Sequence, residues 1–407
     1  MTQITTTVLT INGGSSGLKF ALYEAGDSPK LLFSGELQFR GKNTKLNFTD
    51  ALTLQKIVTD VEDSDQDNAA DFLIDLLEKQ NHIDTVKVVG HRIVHGMKHT
   101  EAQLITPELL NDLKNITAYD PEHLPGEIKL IEAFAKRLPT TPQVACFDTA
   151  FHAGMPAIAK LLPIPRRLQK EGISRYGFHG LSYAYLLEEL ERTAGKETAH
   201  GKIIIAHLGN GASLSAVKNG KSIDTSMGFT PASGIPMGTR TGDLDPGIAW
   251  YLMQFEKLTP KEFNNVINHE SGLLGISETN SDMQELLKIQ ATDSRASEAI
   301  ELFCYQTKKY IGSFAAVLGG LETLVFSGGI GEHSPEVRSM ICIGLQFLGI
   351  ELDEIKNMNN QAVISSDESK VCVRVIKTNE ELMIARIAHD VLKKAEYFTE
   401  TALEKRR

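Results

Sequence analysis

Two stretches of this 407-residue chain read alike. Residues 8–26, VLTINGGSSGLKFALYEAG, and residues 203–220, IIIAHLGNGASLSAVKNG, each spell an apolar strand, a Gly/Asn/Ser turn, a returning strand and a closing glycine turn. A repeat spaced by about 200 residues means one fold copied. Length alone, at roughly 150 residues per domain, allows two or three domains, and the repeat selects two.

Around the hairpins, strands alternate with helical patterns, which predicts an α/β architecture. A strand over 6–11, a phosphate-sized glycine loop over 12–17 and a strand over 18–24 are followed by helical stretches, notably 69–80. Then come a strand over 86–90, helices over 107–115 and 126–137 and a strand over 144–147. The pattern restarts after Phe151 with a helix over 182–193, the strand 203–206, helices over 246–255 and 296–318, and the strand 323–327 running into a loop at 328–331. A terminal helix over 381–394 places Leu382, Ile384, Ala385, Ala388 and Leu392 at helical spacing, so one face is expected to be buried. The closing Lys405, Arg406 and Arg407 read as a solvated end rather than a binding patch. No low-complexity linker intervenes, so the halves are expected to join tightly with a cleft between them.

Forty-two Lys+Arg against 52 Asp+Glu leave a formal charge of −10. Such a mean field gives no footprint for nucleic acid or anionic membranes, so anions must be recognised locally. Cys146, Cys304, Cys342 and Cys372 are scattered with no CxxC pair, which suits a reducing compartment and disfavours a disulfide framework or zinc site. Neither a signal core nor an apolar run of about 18 residues is present, so a cytoplasmic protein is expected.

Three glycine-rich segments follow strands, at 12–17, 209–212 and 328–331. Glycine lets backbone N–H groups turn toward a polyanion with no Cβ in the way. A tight turn would explain any one of them; three, two of them related by the repeat, point to a nucleotide cleft. The absence of GxxxxGK[ST] and GxGxxG argues against a P-loop or a dinucleotide site. Arg92 closes an apolar strand and Arg240 sits in a Gly/Pro-rich loop, and two guanidinium forks from opposite halves can grip a phosphoryl group. Asp148, ending a strand before Thr149, reads either as a helix cap or as a carboxylate facing the cleft. His91, His95 and His99 mimic a helical metal face, but they follow a strand and flank Gly96, which argues against one.

NGGSSGLK (12–19), HRIVHG (91–96), FDTAFH (147–152), RYGFHG (175–180), HLGNGAS (207–213), MGTRTGDLDPG (237–247), SGGIGEHS (327–334) and TNEE (378–381) occur in this order over nearly the whole chain. In this the chain resembles the acetate kinase family. The resemblance implies two duplicated ribonuclease H-like α/β domains of the acetate and sugar kinase/Hsp70/actin type with an inter-domain active-site cleft. The first domain would span 1–150, completed by a C-terminal helix over 382–407, and the second 151–381. It implies a cytoplasmic homodimer and reversible transfer of the ATP γ-phosphoryl to acetate, giving acetyl phosphate and ADP with Mg²⁺, Mn²⁺ being the alternative metal.

By motif position, the resemblance assigns Arg92 and Arg240 to the carboxylate and the transferring phosphoryl, His179 and Arg240 to the transition state, and Asp148 to the catalytic carboxylate. Asn12 and Glu380 fall at the metal positions and Lys19 at a nucleotide phosphate. His207, Leu208, Gly209, Asn210 and Gly211 contact phosphate, while Asp282, Met283, Gln284, Gly329, Ile330, Gly331, Glu332 and His333 line the nucleoside pocket. Val94, Phe178 and Pro231 wall the acyl pocket. Acetate is already a nucleophile at neutral pH, so Asp148 reads as an orienting and metal-organising group rather than a base.

Against the family pattern, Gly17 stands where a third serine is usual, Gln284 replaces an arginine and His333 an asparagine. The segment Asp120-Pro121-Glu122-His123-Leu124-Pro125 departs further, Glu122 being expected to point away and Leu124 to reshape the pocket. A propionate or butyrate kinase is the enzymatic alternative, and an ATP-dependent actin- or Hsp70-like binding protein the non-kinase one. Arg92, Arg240 and His179 disfavour the latter, since a filament or chaperone has no use for a second anion clamp.

Overall fold

The computed structural model describes residues 6–14, 17–40, 43–51, 53–61, 68–80 and 82–404. Ser15 and Ser16 of the first glycine segment and the basic end at 405–407 lie outside them. The chain divides into two units, residues 1–150 with 379–407, and residues 151–378.

The first unit contains β1 (Thr7–Gly14), β2 (Gly17–Glu24), β3 (Lys30–Arg40), β4 (Asn43–Asp50), β5 (Lys56–Val61), β6 (Val86–Ile93), β7 (Gln103–Leu104) and β8 (Gln143–Phe147). They form one sheet in the order β5-β4-β3-β2-β1-β6-β8-β7. The second unit has β9 (Lys202–Leu208), β10 (Ala212–Lys218), β11 (Lys221–Thr225), β12 (Thr323–Ser327) and β13 (Cys372–Val375), ordered β11-β10-β9-β12-β13. In both sheets a three-stranded antiparallel meander is continued by two parallel strands: β3-β2-β1-β6-β8 matches β11-β10-β9-β12-β13 strand for strand. The repeat read in the sequence is thus a repeat of sheet topology.

Three elements differ from the sequence reading. In the first hairpin β1 runs on past the strand expected over 6–11, through Asn12-Gly13-Gly14, and Gly14 pairs with Gly17. Glycine lacks a Cβ but keeps its N–H and C=O, so it does not stop a ladder. Residues 30–61, placed in the helical stretches after the first hairpin, are three antiparallel strands. Leu32, Phe33, Leu37, Leu46 and Phe48 bury themselves there against Leu73 and Leu77 of the helix Ala69–Lys79. Leu32 and Phe33 are adjacent and β5 is exposed along nearly its whole length, so the period-two alternation that marks a strand is weak in the sequence. The segment 328–331 is the first turn of a helix, Gly328–His333, rather than a loop.

The terminal helix, Glu380–Glu404, returns to the first unit and packs on β1, β6 and β8. Ile384, Ala385 and Ala388 are fully buried on that face. Gly90 of β6 makes room for it: a Cβ there would lie 2.6 Å from Ile384 Cγ2 and 3.0 Å from Ala388 Cβ. The end of β6 is set by a buried acid. Glu127, in the helix Leu124–Arg137, accepts the Val94 N–H with both carboxylate oxygens at 3.1 and 3.2 Å. Burial pushes the Glu127 carboxyl well above the usual carboxylate range and Asp120 pushes the same way, against the pull of Arg92.

Two stability predictions follow from these contacts. Gly90→Ala forces the terminal helix off its seat at a cost of about 1–3 kcal/mol, so calorimetry shows a lowered Tm; an unchanged Tm means the helix does not bear on β6. Because the folded Glu127 value is raised, the stability this group contributes is present below the unfolded value of 4.5 and is lost as pH rises toward the folded value. The stability of Glu127→Gln relative to the parent therefore climbs as pH rises above the unfolded value of 4.5 in urea titrations. A pH-independent difference refutes the protonated carboxyl.

Candidate active site

Parallel strands deliver polar side chains at their carboxyl ends, where α/β sheets bind ligands. In the first unit Asn12 and Arg92 lie near the carboxyl ends of β1 and β6, and Asp148 directly follows β8. Arg92 donates from Nε and Nη2 to Asp148 Oδ2, at 3.0 and 2.7 Å, and from Nη1 to Asn12 Oδ1 at 3.1 Å. These bonds engage three of the five guanidinium N–H groups. Burial works against the Arg92 charge, but Asp148, Glu380 and Glu127 outweigh it and raise its pKa. The backbone N–H of Asp148 donates to Ile93 C=O. The hydroxyl of Thr149 accepts the Gly96 N–H.

Asn12 turns its amide nitrogen to two carboxylates at the start of the terminal helix, Glu380 Oε2 at 2.9 Å and Glu381 Oε1 at 3.0 Å. Sequence reading took only the first glutamate of TNEE, whereas the helix start presents both. Lys19 is exposed on β2 directly across from Asn12, so the two share one face of the sheet. A Cβ on Gly17 would lie 2.4 Å from Leu37 C=O, so the tight approach of β3 explains why a serine does not fit there. Val94 is buried under the hold of Glu127. Leu124 is in the core with Ile93, Leu109 and Phe147, and the acids turned inward in this region are Asp120 and Glu127, with Glu122 only half-buried. Glu127 lies five residues beyond the one weighed in the sequence, since only the helix register decides which side chain enters.

His91, His95 and His99 make no metal face. Burial pushes His91 down to about 4, with its ring edge-on to Phe134; His95 Nδ1 accepts the Met97 N–H; and His99 stacks on Phe147. Among the described residues no group of three or more His, Cys, Asp and Glu is arranged to hold a metal.

In the second unit His179 precedes the helix Gly180–Ala194 with φ +58°, a left-handed conformation. The ring stacks on His207, centroids 4.4 Å apart. His207 on β9 pairs directly with Ser213 on β10, and Ser213 Oγ hydrogen-bonds His179 Nδ1 at 2.9 Å. A point one Cβ above Gly211 lies 3.3 Å from His179 Nε2 and 3.7 Å from Arg240 Nη1, so both cationic or donor groups converge over a bare backbone. Arg240 Nη1 also donates to Pro231 C=O at 3.2 Å, joining two residues assigned from different motifs. Phe178 is buried, its carbonyl held at 3.0 Å by His152 Nε2, and burial pushes His152 down to about 4.

The connection between β9 and β10 is Gly209-Asn210-Gly211, closed by the Leu208–Ala212 pair. Leu208 is buried and Asn210 exposed. Asp282 caps the helix Met283–Ile289 by accepting the Gln284 N–H; Met283 is buried and Gln284 exposed. In the helix Gly328–His333, Gly329 and His333 are exposed, Ile330 is half-buried and Gly331 is buried. Glu332 is turned inward, its Oε1 accepting the N–H groups of Gly328 and Thr378 at 3.1 and 3.0 Å.

The profile of the Acetokinase family matches residues 7–386. A protein named acetate kinase from Rhodopseudomonas palustris is 42% identical over 386 residues, covering 93% of this chain and 96% of that one. Another from Thermoanaerobacterium thermosaccharolyticum is 43% identical over 390 residues, covering 93% and 97%. Among solved structures, a propionate kinase from Francisella tularensis superposes with a TM-score of 0.89 at 38% identity, and an acetate kinase from Porphyromonas gingivalis with 0.85 at 36%, each covering 95% of this chain and 100% of the other. The repeated sheets, the arginine–aspartate pair and the stacked histidines are therefore those of a chain that belongs to the Acetokinase family.

Proposed function

We propose that the chain transfers the γ-phosphoryl of ATP to acetate in a reversible, direct in-line reaction giving acetyl phosphate and ADP. The observation that carries this reading is the convergence of His179 Nε2 and Arg240 Nη1 over Gly211. An acid anion attacking a phosphoryl anion needs charge cancelled and donors fixed where the equatorial oxygens gather charge, with no proton to remove from the nucleophile. Arg92 supplies the second guanidinium, and Asp148 orients it rather than acting as a base; the two-fold hold of Asp148 Oδ2 on Nε and Nη2 supports that role. Lys19 and the backbone at 207–211 are read at nucleotide phosphate, and residues 282–284 and 329–333 at the nucleoside.

Magnesium is read at the carboxylates of Glu380 and Glu381, with Asn12, whose Oδ1 accepts from Arg92, positioning them through its amide nitrogen. Oxygen donors from one or two carboxylates, completed by substrate phosphates and water, are what that ion takes, so the set fits it without a protein cage. When bound, the metal neutralises phosphate charge; the chain's own part is to hold both carboxylates against one amide.

The propionate kinase among the structural relatives keeps a second acid in view. A single methylene in an apolar pocket discriminates by only about 1–3 kcal/mol. We also infer a homodimer through the helix Pro246–Gln254, which leaves Trp250, Tyr251 and the following Phe255 65%, 53% and 67% exposed, a contiguous aromatic face of the kind that marks an interface. A cytoplasmic setting fits four free cysteines, of which Cys304 and Cys342 are pushed up to about 12, first of all by burial.

Hydroxamate trapping of acyl phosphate, with kcat/KM compared across formate, acetate, propionate and butyrate, tests the reaction; ATP hydrolysis with no acyl product from any acid sinks it. In the same assay Arg92→Ala and Arg240→Ala each lower kcat by at least about 10³, and a variant keeping a tenth of the activity removes that arginine from the transition state. Light scattering of Trp250→Glu shows a shift toward half the native mass, whereas an unaltered mass places the interface elsewhere.

A further inference from the structure

We propose that Tyr183 and Ser213 form a hydroxyl relay that sets the tautomer of His179, making Ser213 and Tyr183 positioning residues for the transfer. The inference rests on the reading of His179 as a phosphoryl-facing donor. Ser213 Oγ lies between two groups, His179 Nδ1 at 2.9 Å and Tyr183 Oη at 2.5 Å, and both Ser213 and Tyr183 are fully buried. The arrangement follows from two regular elements. Tyr183 is one helical turn beyond His179 and donates its backbone N–H to the His179 carbonyl, so the two side chains share a helix face. Ser213 faces the same helix from β10, across from His207.

A serine hydroxyl has one proton to give. A phenol is the stronger acid, so Tyr183 donates to Ser213, and Ser213 passes its own proton toward His179 Nδ1. That leaves Nδ1 as acceptor and places the imidazole hydrogen on Nε2, the atom over Gly211 beside Arg240. A neutral His179 then presents a donor to phosphoryl oxygens before any substrate arrives. The neighbouring ring is held by a like construction: Ser182 Oγ lies 2.8 Å from both His207 Nδ1 and Thr378 Oγ1. Ser213 closes the HLGNGAS motif and Tyr183 lies beyond RYGFHG, but neither carries a charge, which is why motif reading gives them no role.

The test is ¹H–¹⁵N multiple-bond NMR of histidine-labelled protein at about pH 8.5, above the ordinary histidine value, with His179→Gln used to assign the ring among the 12 histidines. The parent shows Nε2–H at His179. Tyr183→Phe, which keeps the ring volume, raises the Nδ1–H population and lowers kcat about tenfold, the size of one lost hydrogen bond, while KM for ATP and acetate stays within about twofold. Ser213→Thr retains the parent tautomer and kcat, and Ser213→Ala loses both. An Nδ1–H tautomer in the parent, or a Tyr183→Phe protein with parental tautomer and kcat, overturns the relay. Should Ser213→Ala fail to fold, Tyr183→Phe and Ser213→Thr decide alone. Should the parent make no acyl phosphate, the tautomer result still decides the relay, separately from the proposed reaction.

Discussion

The pairing of Arg92 with Asp148 is the constraint on which the first unit's site depends. Removing one partner of a buried ion pair typically costs about 3–5 kcal/mol, because the other charge is stranded away from water. Asp148 is fully buried, and Arg92 is held to it by two bonds and to Asn12 by a third. The three residues come from β8, β6 and β1, so the pair can form only when those strands are in parallel register. Asn12 in turn engages Glu380 and Glu381. The terminal helix is therefore fastened at its first turn by the same polar group that steadies the arginine, and along its length by Ile384, Ala385 and Ala388.

The second unit uses the same strand order for a different chemistry. Where the first sheet ends in a guanidinium and carboxylates, the second ends in two stacked imidazoles backed by hydroxyls. The difference originates in the cross-strand pairs: Asn12 lies opposite Lys19, and His207 opposite Ser213. Direct neighbours on one face interact strongly, so a copied scaffold takes on new function by changing what stands at the ends of the hairpin strands.

Much of the fold was legible because its signals are local. The glycine hairpins, the helices beginning near Pro107 and Pro246 and the apolar strands at 203–206 and 323–327 stand nearly where periodicity puts them. Strands β3 to β5 were not, because β3 buries the adjacent Leu32 and Phe33 and β5 is almost wholly exposed, which breaks the alternation that marks a strand. In the site, Arg92 and Arg240 stood out as charges beside apolar or glycine-rich runs, whereas Glu127, Ser213 and Tyr183 carry no such contrast. A serine in a strand or a glutamate in a helix looks ordinary until the opposing element is known.

By itself the sequence determined that the chain is one fold written twice, that anions must be met by a few local groups, and which motif residues are the candidates for that chemistry. These rest on composition and near-neighbour pattern, which a linear chain displays. Only the tertiary structure decided that Arg92 is committed to Asp148, that Glu381 stands beside Glu380, that Glu127 and not Glu122 is buried, and that His179 leans on Ser213 and Tyr183. Each of these depends on two segments distant in sequence meeting within hydrogen-bond reach, and strand register and helix phase, set by the packing of the whole core, decide which side chains do so.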